Sequence, residues 1–77
     1  MKVRLFAALR EIAGDAHVDA TGRTVGEIVD TLSARYGVRF AQIAEVGSMV
    51  VNGERATRDT PIADGDEVAL LPPVSGG

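Results

Sequence analysis

Groups able to make or break bonds are few in this chain. His17 is the one histidine, cysteine is absent, and the serines are Ser33, Ser48 and Ser75. A general base or a metal site built on His17 would need a partner ligand or an acid at suitable spacing. None stands near it, and a surface position on an edge strand accounts for it. One histidine cannot serve a nucleophilic triad unless the fold brings a serine to it. Asp64, Asp66 and Glu67 cluster around Gly65, but the run lacks the ligand count of a calcium loop. A polar turn ahead of the last strand is its expected role. Gly26 and Gly37 suit helix geometry, and Gly53 and Gly65 suit turns. No phosphate-cradling glycine loop is formed.

What remains is the end of the chain, "ALLPPVSGG". Six residues follow Leu71, with a reach of roughly 20 Å when fully extended. Pro72 and Pro73 favour a stiff polyproline-like exit that projects the segment outward. Val74, Ser75, Gly76 and Gly77 then narrow the thread until a partner's tunnel can admit it. Glycine has no Cβ, so a nucleotide can approach its backbone closely. At neutral pH the terminal carboxylate is a poor electrophile. Adenylation by ATP makes it an activated acyl group, because AMP leaves readily. A sulfur donor can then displace AMP to give a thiocarboxylate, or an amine can displace it to give an isopeptide. Both routes need a terminal residue that is unhindered and lacks a reactive side chain, which describes Gly77. With no internal thiol to compete, the terminus is the group this chain contributes. A plain frayed end is the alternative.

The elements that must hold this tail are legible in part. "KVRLFAAL" alternates, with Val3, Leu5 and Ala7 on one face and Lys2, Arg4 and Phe6 on the other, which predicts a first strand. "REIAGDA" breaks it at Gly14-Asp15, and "HVDAT" predicts a short antiparallel partner. "TVGEIVDTLSARYG" predicts the main helix. Thr24 caps it with Glu27 at capping-box spacing. Val25, Ile28, Val29, Leu32 and Tyr36 form its apolar stripe, and Gly37 ends it in the left-handed conformation. "VRFAQIAEVGS" suits either a short helical turn or an irregular loop. "SMVVNGERA" is a hairpin around Asn52-Gly53, and "EVALLP" is a last strand ended by prolines. One helix lying across a mixed sheet of four or five strands, with the first and last strands as parallel central neighbours, is an α+β β-grasp, or ubiquitin-like, fold. Residues 1–71 form that domain and 72–77 its extended reactive tail.

Composition excludes other classes. Net charge is −3 with no clustered basic run, which argues against nucleic acid. No apolar stretch approaches the roughly 20 residues needed to span a bilayer. "MKVRLFA" lacks the apolar core of a signal peptide, so a cytoplasmic location is expected. Without cysteines, neither disulfides nor thiolate metal sites are available.

"RLFAALREIAG", "TVGEIVDTL", "VVNGE" and "DGDEVALLPPVSGG" together resemble, in order and over essentially the whole chain, the MoaD/ThiS family of ubiquitin-like sulfur carriers. The MoaD branch, the small non-catalytic subunit of molybdopterin synthase, is the nearest. The resemblance implies a carrier protein that binds no cofactor of its own. An ATP-dependent activating enzyme of the MoeB/ThiF kind would adenylate Gly77, with Gly76 as its spacer, and a sulfur donor protein would supply the sulfur. The tail from Pro72 through Pro73 and Val74 to Ser75 would line a channel in a MoaE-like large subunit, where sulfur passes to a pterin precursor. Thiamine or cysteine synthesis and attachment to lysines are alternative ends for the same chemistry, and a non-covalent β-grasp binding module is an alternative of another kind. Phe6 and Leu71 are expected on the outer side of neighbouring strands as an apolar docking patch, unless Phe6 instead completes the core. Arg55 matches a position that helps line this face in the family.

Overall fold

A computed structural model describes residues 1–73. Strand β1 (Lys2–Leu5) alternates exposed and buried residues, with Val3 and Leu5 almost fully enclosed. The alternation stops sooner than its pattern suggests. At Ala7 the backbone turns to φ 48° and enters a helix, α1 (Ala7–Ala13), which closes at Gly14. This corrects the reading of residues 7 and 8 as strand and of the following stretch as a bare break. "AALREIA" is dominated by strong helix formers. Leu9, Ile12 and Ala13 recur at three- and four-residue spacing, so burial on the core rewards the helix; Leu9 is fully buried and Ile12 and Ala13 pack against the core. Strand β2 (His17–Asp19) then returns antiparallel to β1, pairing His17 with Arg4 and Asp19 with Lys2.

Helix α2 (Val25–Tyr36) is the longest, and Val25, Ile28, Val29 and Leu32 are its buried stripe. The Thr24 hydroxyl accepts from the Glu27 N–H at 3.2 Å. The Glu27 carboxylate reaches back to the N–H of Arg23, at 3.0 Å, one residue before the cap. Gly26 is buried in the first turn because another backbone approaches it: its N–H donates to the Arg58 carbonyl at 2.9 Å, and an added Cβ would lie 3.0 Å from that oxygen. Gly37 ends α2 at φ 100° and ψ −176°, a positive φ but not the left-handed helical conformation expected. This leaves the chain extended enough to begin α3 (Val38–Val46) at once. The ambiguous segment is therefore a helix. Phe40 and Ala44 seat it on the core, and the Tyr36 and Phe40 rings stand 5.4 Å apart across the junction.

Strands β3 (Ser48–Val51) and β4 (Glu54–Ala56) form the hairpin. Asn52 and Gly53 take positive φ values of 52° and 79°, as a two-residue turn matching strand twist requires. The last strand, β5 (Val68–Leu71), lies between β1 and β3 in a five-stranded sheet of order β2-β1-β5-β3-β4. It is parallel to β1 and antiparallel to β3. Val3, Leu5, Val68 and Leu70 face the helices and join Leu9, Ile28, Leu32 and Phe40 in one core. Two further helices thus assist the main one in covering a single face of the sheet. Among the described residues, no polar or charged residue is buried, and no helix is long and apolar enough to cross a membrane.

Candidate functional site

Strand register assembles the uncovered face of the sheet. Residues directly opposite one another across a strand pair share a face. Arg4 pairs with Ala69, Ala69 with Val50, and Val50 with Arg55, while His17 lies on the far side of Arg4. A row from His17 to Arg55 therefore crosses all five strands. One step along, Leu71 pairs with Ser48. Phe6 follows Leu5, whose partner is Leu70, and its backbone is still extended at φ −123° and ψ 150°. The register places it beside Leu71. Phe6, Val50, Ala69 and Leu71 are all half-buried, so the middle of this face is apolar.

Its rim is cationic. Arg55 is exposed, and the Arg4 guanidinium stands over the Phe6 ring at 5.2 Å from its centroid. Such a stack holds a charge against an apolar patch while leaving it in water. Toward the end of the face remote from Leu71, Lys2, Arg4 and His17 meet Asp66 and Glu67 across an open groove. Its mixed signs do not suit a ligand of one charge.

The other chemically suggestive side chains are accounted for locally. Among the described residues, no three His, Cys, Asp or Glu residues are placed to hold a metal ion. His17 is exposed on the edge strand β2, as its sequence context implies. Asp66 is a turn residue: one carboxylate oxygen accepts from the Asn52 side-chain amide at 3.0 Å and the other from the Ala63 N–H at 2.8 Å. These bonds favour the ionised form and hold its pKa below the ordinary aspartate value. Asn52 also accepts from the Glu67 N–H at 2.9 Å and donates its own N–H to the Glu67 carbonyl at 2.8 Å. The hairpin tip is thus tied to the segment leading into β5. Ser33, on α2, has its hydroxyl buried and without a hydrogen-bond partner among the described residues.

The root of the tail is held on both sides, since β5 has neighbours along each edge. Leu71 and Pro72 are half-buried and Pro73 is exposed. Val74, Ser75, Gly76 and Gly77 lie outside the described residues. Of the expected docking residues, Phe6, Leu71 and Arg55 all fall on the uncovered face, the last two separated by β3. Arg4, Val50 and Ala69 complete that face without having been singled out from sequence. The alternation of "SMVV" and "VALL" hints at Val50 and Ala69, but which residues meet depends on a register set by the whole sheet.

This order of strands under one main helix is the ubiquitin-like β-grasp, here with an open apolar face beside the root of a C-terminal tail. The ThiS family model matches residues 3–77, and the chain belongs to that family of small ubiquitin-like sulfur carriers. It is 39% identical to the molybdopterin synthase sulfur carrier subunit of Escherichia coli, over all of this chain and 99% of that protein. It is 38% identical to small archaeal modifier protein 1 of Haloferax volcanii, over the full length of both. Among solved structures it resembles a chain in the BexX/CysO complex of Amycolatopsis orientalis, with a TM-score of 0.80 and 29% identity over 99% of this chain and 98% of that one.

Proposed function

We propose that this protein carries sulfur on its C-terminal Gly77 for the assembly of molybdopterin. The observation that supports this most directly is the end-to-end similarity to a molybdopterin synthase sulfur carrier subunit, in a fold whose central strand β5 leads straight into the tail. In the first step the Gly77 carboxylate attacks the α-phosphorus of ATP on an activating enzyme. Pyrophosphate leaves and an acyl adenylate forms. In the second step a sulfide equivalent from a sulfur donor protein attacks the acyl carbon and forms the C–S bond, the bond from that carbon to the phosphate oxygen breaks, AMP departs with its electron pair, and the thiocarboxylate remains. Gly76 keeps the approach to that carbon narrow. On this reading nucleotide and sulfur donor are bound by the partners. The chain's part is to dock, through Phe6, Val50, Leu71 and the Arg4 and Arg55 rim, and to deliver the thread from Pro72 to Ser75 into the partner, first the activating enzyme and then a large synthase subunit. We place this work in the cytoplasm.

The similarity to small archaeal modifier protein 1 favours a second reading, in which an amine takes the place of the sulfur donor and the carrier becomes attached to lysines. Intact-mass measurement after incubation with ATP, the activating enzyme and a sulfur donor separates the outcomes. Exchange of oxygen for sulfur at Gly77 is expected, and removal of Gly76-Gly77 abolishes it while leaving the fold intact. An unchanged mass with an activating enzyme shown to be competent defeats the proposal. A branched peptide ending in Gly77 supports the second reading.

A further inference from the structure

We infer that Gly47 is a positioning residue for the tail: by lacking a side chain it lets the end of α3 abut the last peptide group of β5 and so fixes the direction in which the tail leaves. This rests on the proposed carrier function for its importance, but not for its geometry. Gly47 has φ −87° and ψ −163°, an extended conformation open to any residue. Its backbone shape does not call for glycine. Space does. A Cβ built on Gly47 would collide with the Leu71 carbonyl oxygen and would lie 3.1 Å from the Leu71 carbonyl carbon and 3.2 Å from the Ile43 carbonyl oxygen. All of these are backbone atoms, which cannot swing aside as a side chain does. The Ile43 oxygen belongs to α3, so the crowded space is closed on the helix side as well.

The atoms met at Leu71 belong to the peptide that joins Leu71 to Pro72. That unit is planar, and the proline ring fixes the next φ near −65°. Pro72 also confines Leu71 to extended conformations, and Pro73 does the same to Pro72. A tilt imposed on this peptide by a Cβ at Gly47 therefore travels through two stiff residues instead of being absorbed. Antiparallel pairing of Ser48 with Leu71 sets Gly47 beside the step where the ladder ends and the tail begins. Of the uncovered face only Leu71, through its carbonyl, lies at this contact; Phe6, Val50, Ala69 and Arg55 lie outside it. A substitution at Gly47 should redirect the tail and leave the docking surface beyond Leu71 as it is.

The test has a partner-free arm and a kinetic arm. The chain has no cysteine, so nitroxide labels at Ser75→Cys and His17→Cys report a single distance distribution by pulsed electron resonance. Gly47→Ala is expected to displace its mean. Thr24→Ala, which weakens the fold at the start of α2, is expected to leave it unchanged. With the activating enzyme, Gly47→Ala is expected to lower kcat for adenylation by about 100-fold, the scale of a misplacement of about 1 Å at a reacting centre, with KM little changed. In a Pro72→Gly/Pro73→Gly background the same substitution should have no further effect, because the stiff link is gone. An unmoved distance distribution overturns the inference, as does an equal kinetic loss in both backgrounds. If the distribution moves but the unsubstituted protein is never adenylated, the carrier function fails and the positioning role of Gly47 stands.

Discussion

Leu70 and Leu71 are adjacent on β5 and face opposite ways, so truncating each in turn separates folding from docking. Leu70 is 1% exposed in the core. Leu70→Ala removes its contacts and leaves a cavity, at a cost of about 2–5 kcal/mol. A domain of this size is stable by only roughly 4–12 kcal/mol, and each kcal/mol shifts its midpoint by about 4–8 °C. A fall in Tm of about 8–40 °C is expected on that scale. Leu71 is half-buried on the uncovered face, and Leu71→Ala opens no enclosed void. Its transfer cost is about 1 kcal/mol, within about 8 °C in Tm. At an interface the same truncation costs about 1.4–2 kcal/mol if Leu71 is an anchor, which is about 10- to 30-fold in affinity. Urea melts followed by circular dichroism give the first comparison, with equal m-values certifying a common unfolded state. Titration of each folded variant against the activating enzyme gives the second. Equal stability losses, or a loss of affinity confined to Leu70→Ala, would refute the assignment of faces.

Further outcomes follow from other contacts. Thr24→Ala should cost about 1 kcal/mol in chemical denaturation through loss of the α2 cap. Val50→Asp should leave the melting curve close to that of the parent and reduce capture by the activating enzyme at least tenfold, since a desolvated carboxylate is set in the middle of the apolar face. Asn52→Ala should lower stability by roughly 1–2 kcal/mol, because two side-chain bonds between the hairpin and the β5 approach are lost. The folded pKa of Asp66 is depressed below 3.8, so its contribution is complete above that pH and declines as pH falls through the lowered value. Thermal melts between neutral and strongly acidic pH should show this decline, and Asp66→Asn should flatten it.

The elements read most surely from sequence carry their own local signals. The Asn52-Gly53 pair supplies the two positive φ angles of its turn, and Thr24 with Glu27 marks the start of α2. Helix α1 is hidden in the sequence because "KVRLF" sets up an alternation that "AAL" does not contradict: alanine suits either period, and only burial of Leu9 beside Ile12 decides. Helix α3 is ambiguous in the sequence because Gly37 and Gly47 bracket just nine residues, too few for a stripe to declare itself. On the site, Phe6 and Leu71 were readable from alternation on single strands. The same alternation puts Arg4 beside Phe6, but its meeting with Ala69, Val50 and Arg55 needs the cross-sheet register, and the crowding at Gly47 arises between residues 24 positions apart. Local preference does not report either kind of relation.

The placement of β5 between β1 and β3 also has a mechanical meaning. On the proposed function, a partner that draws on the tail pulls through Leu71 at the end of this strand. The strand's hydrogen bonds to both neighbours lie across its axis or slant to it, so a load along that axis falls on two ladders in shear, with many bonds strained together. A terminal strand at a sheet edge, pulled sideways, would peel one bond at a time. The thread is thus rooted where tension is best resisted, and the carrier can be gripped and released by its end without coming undone.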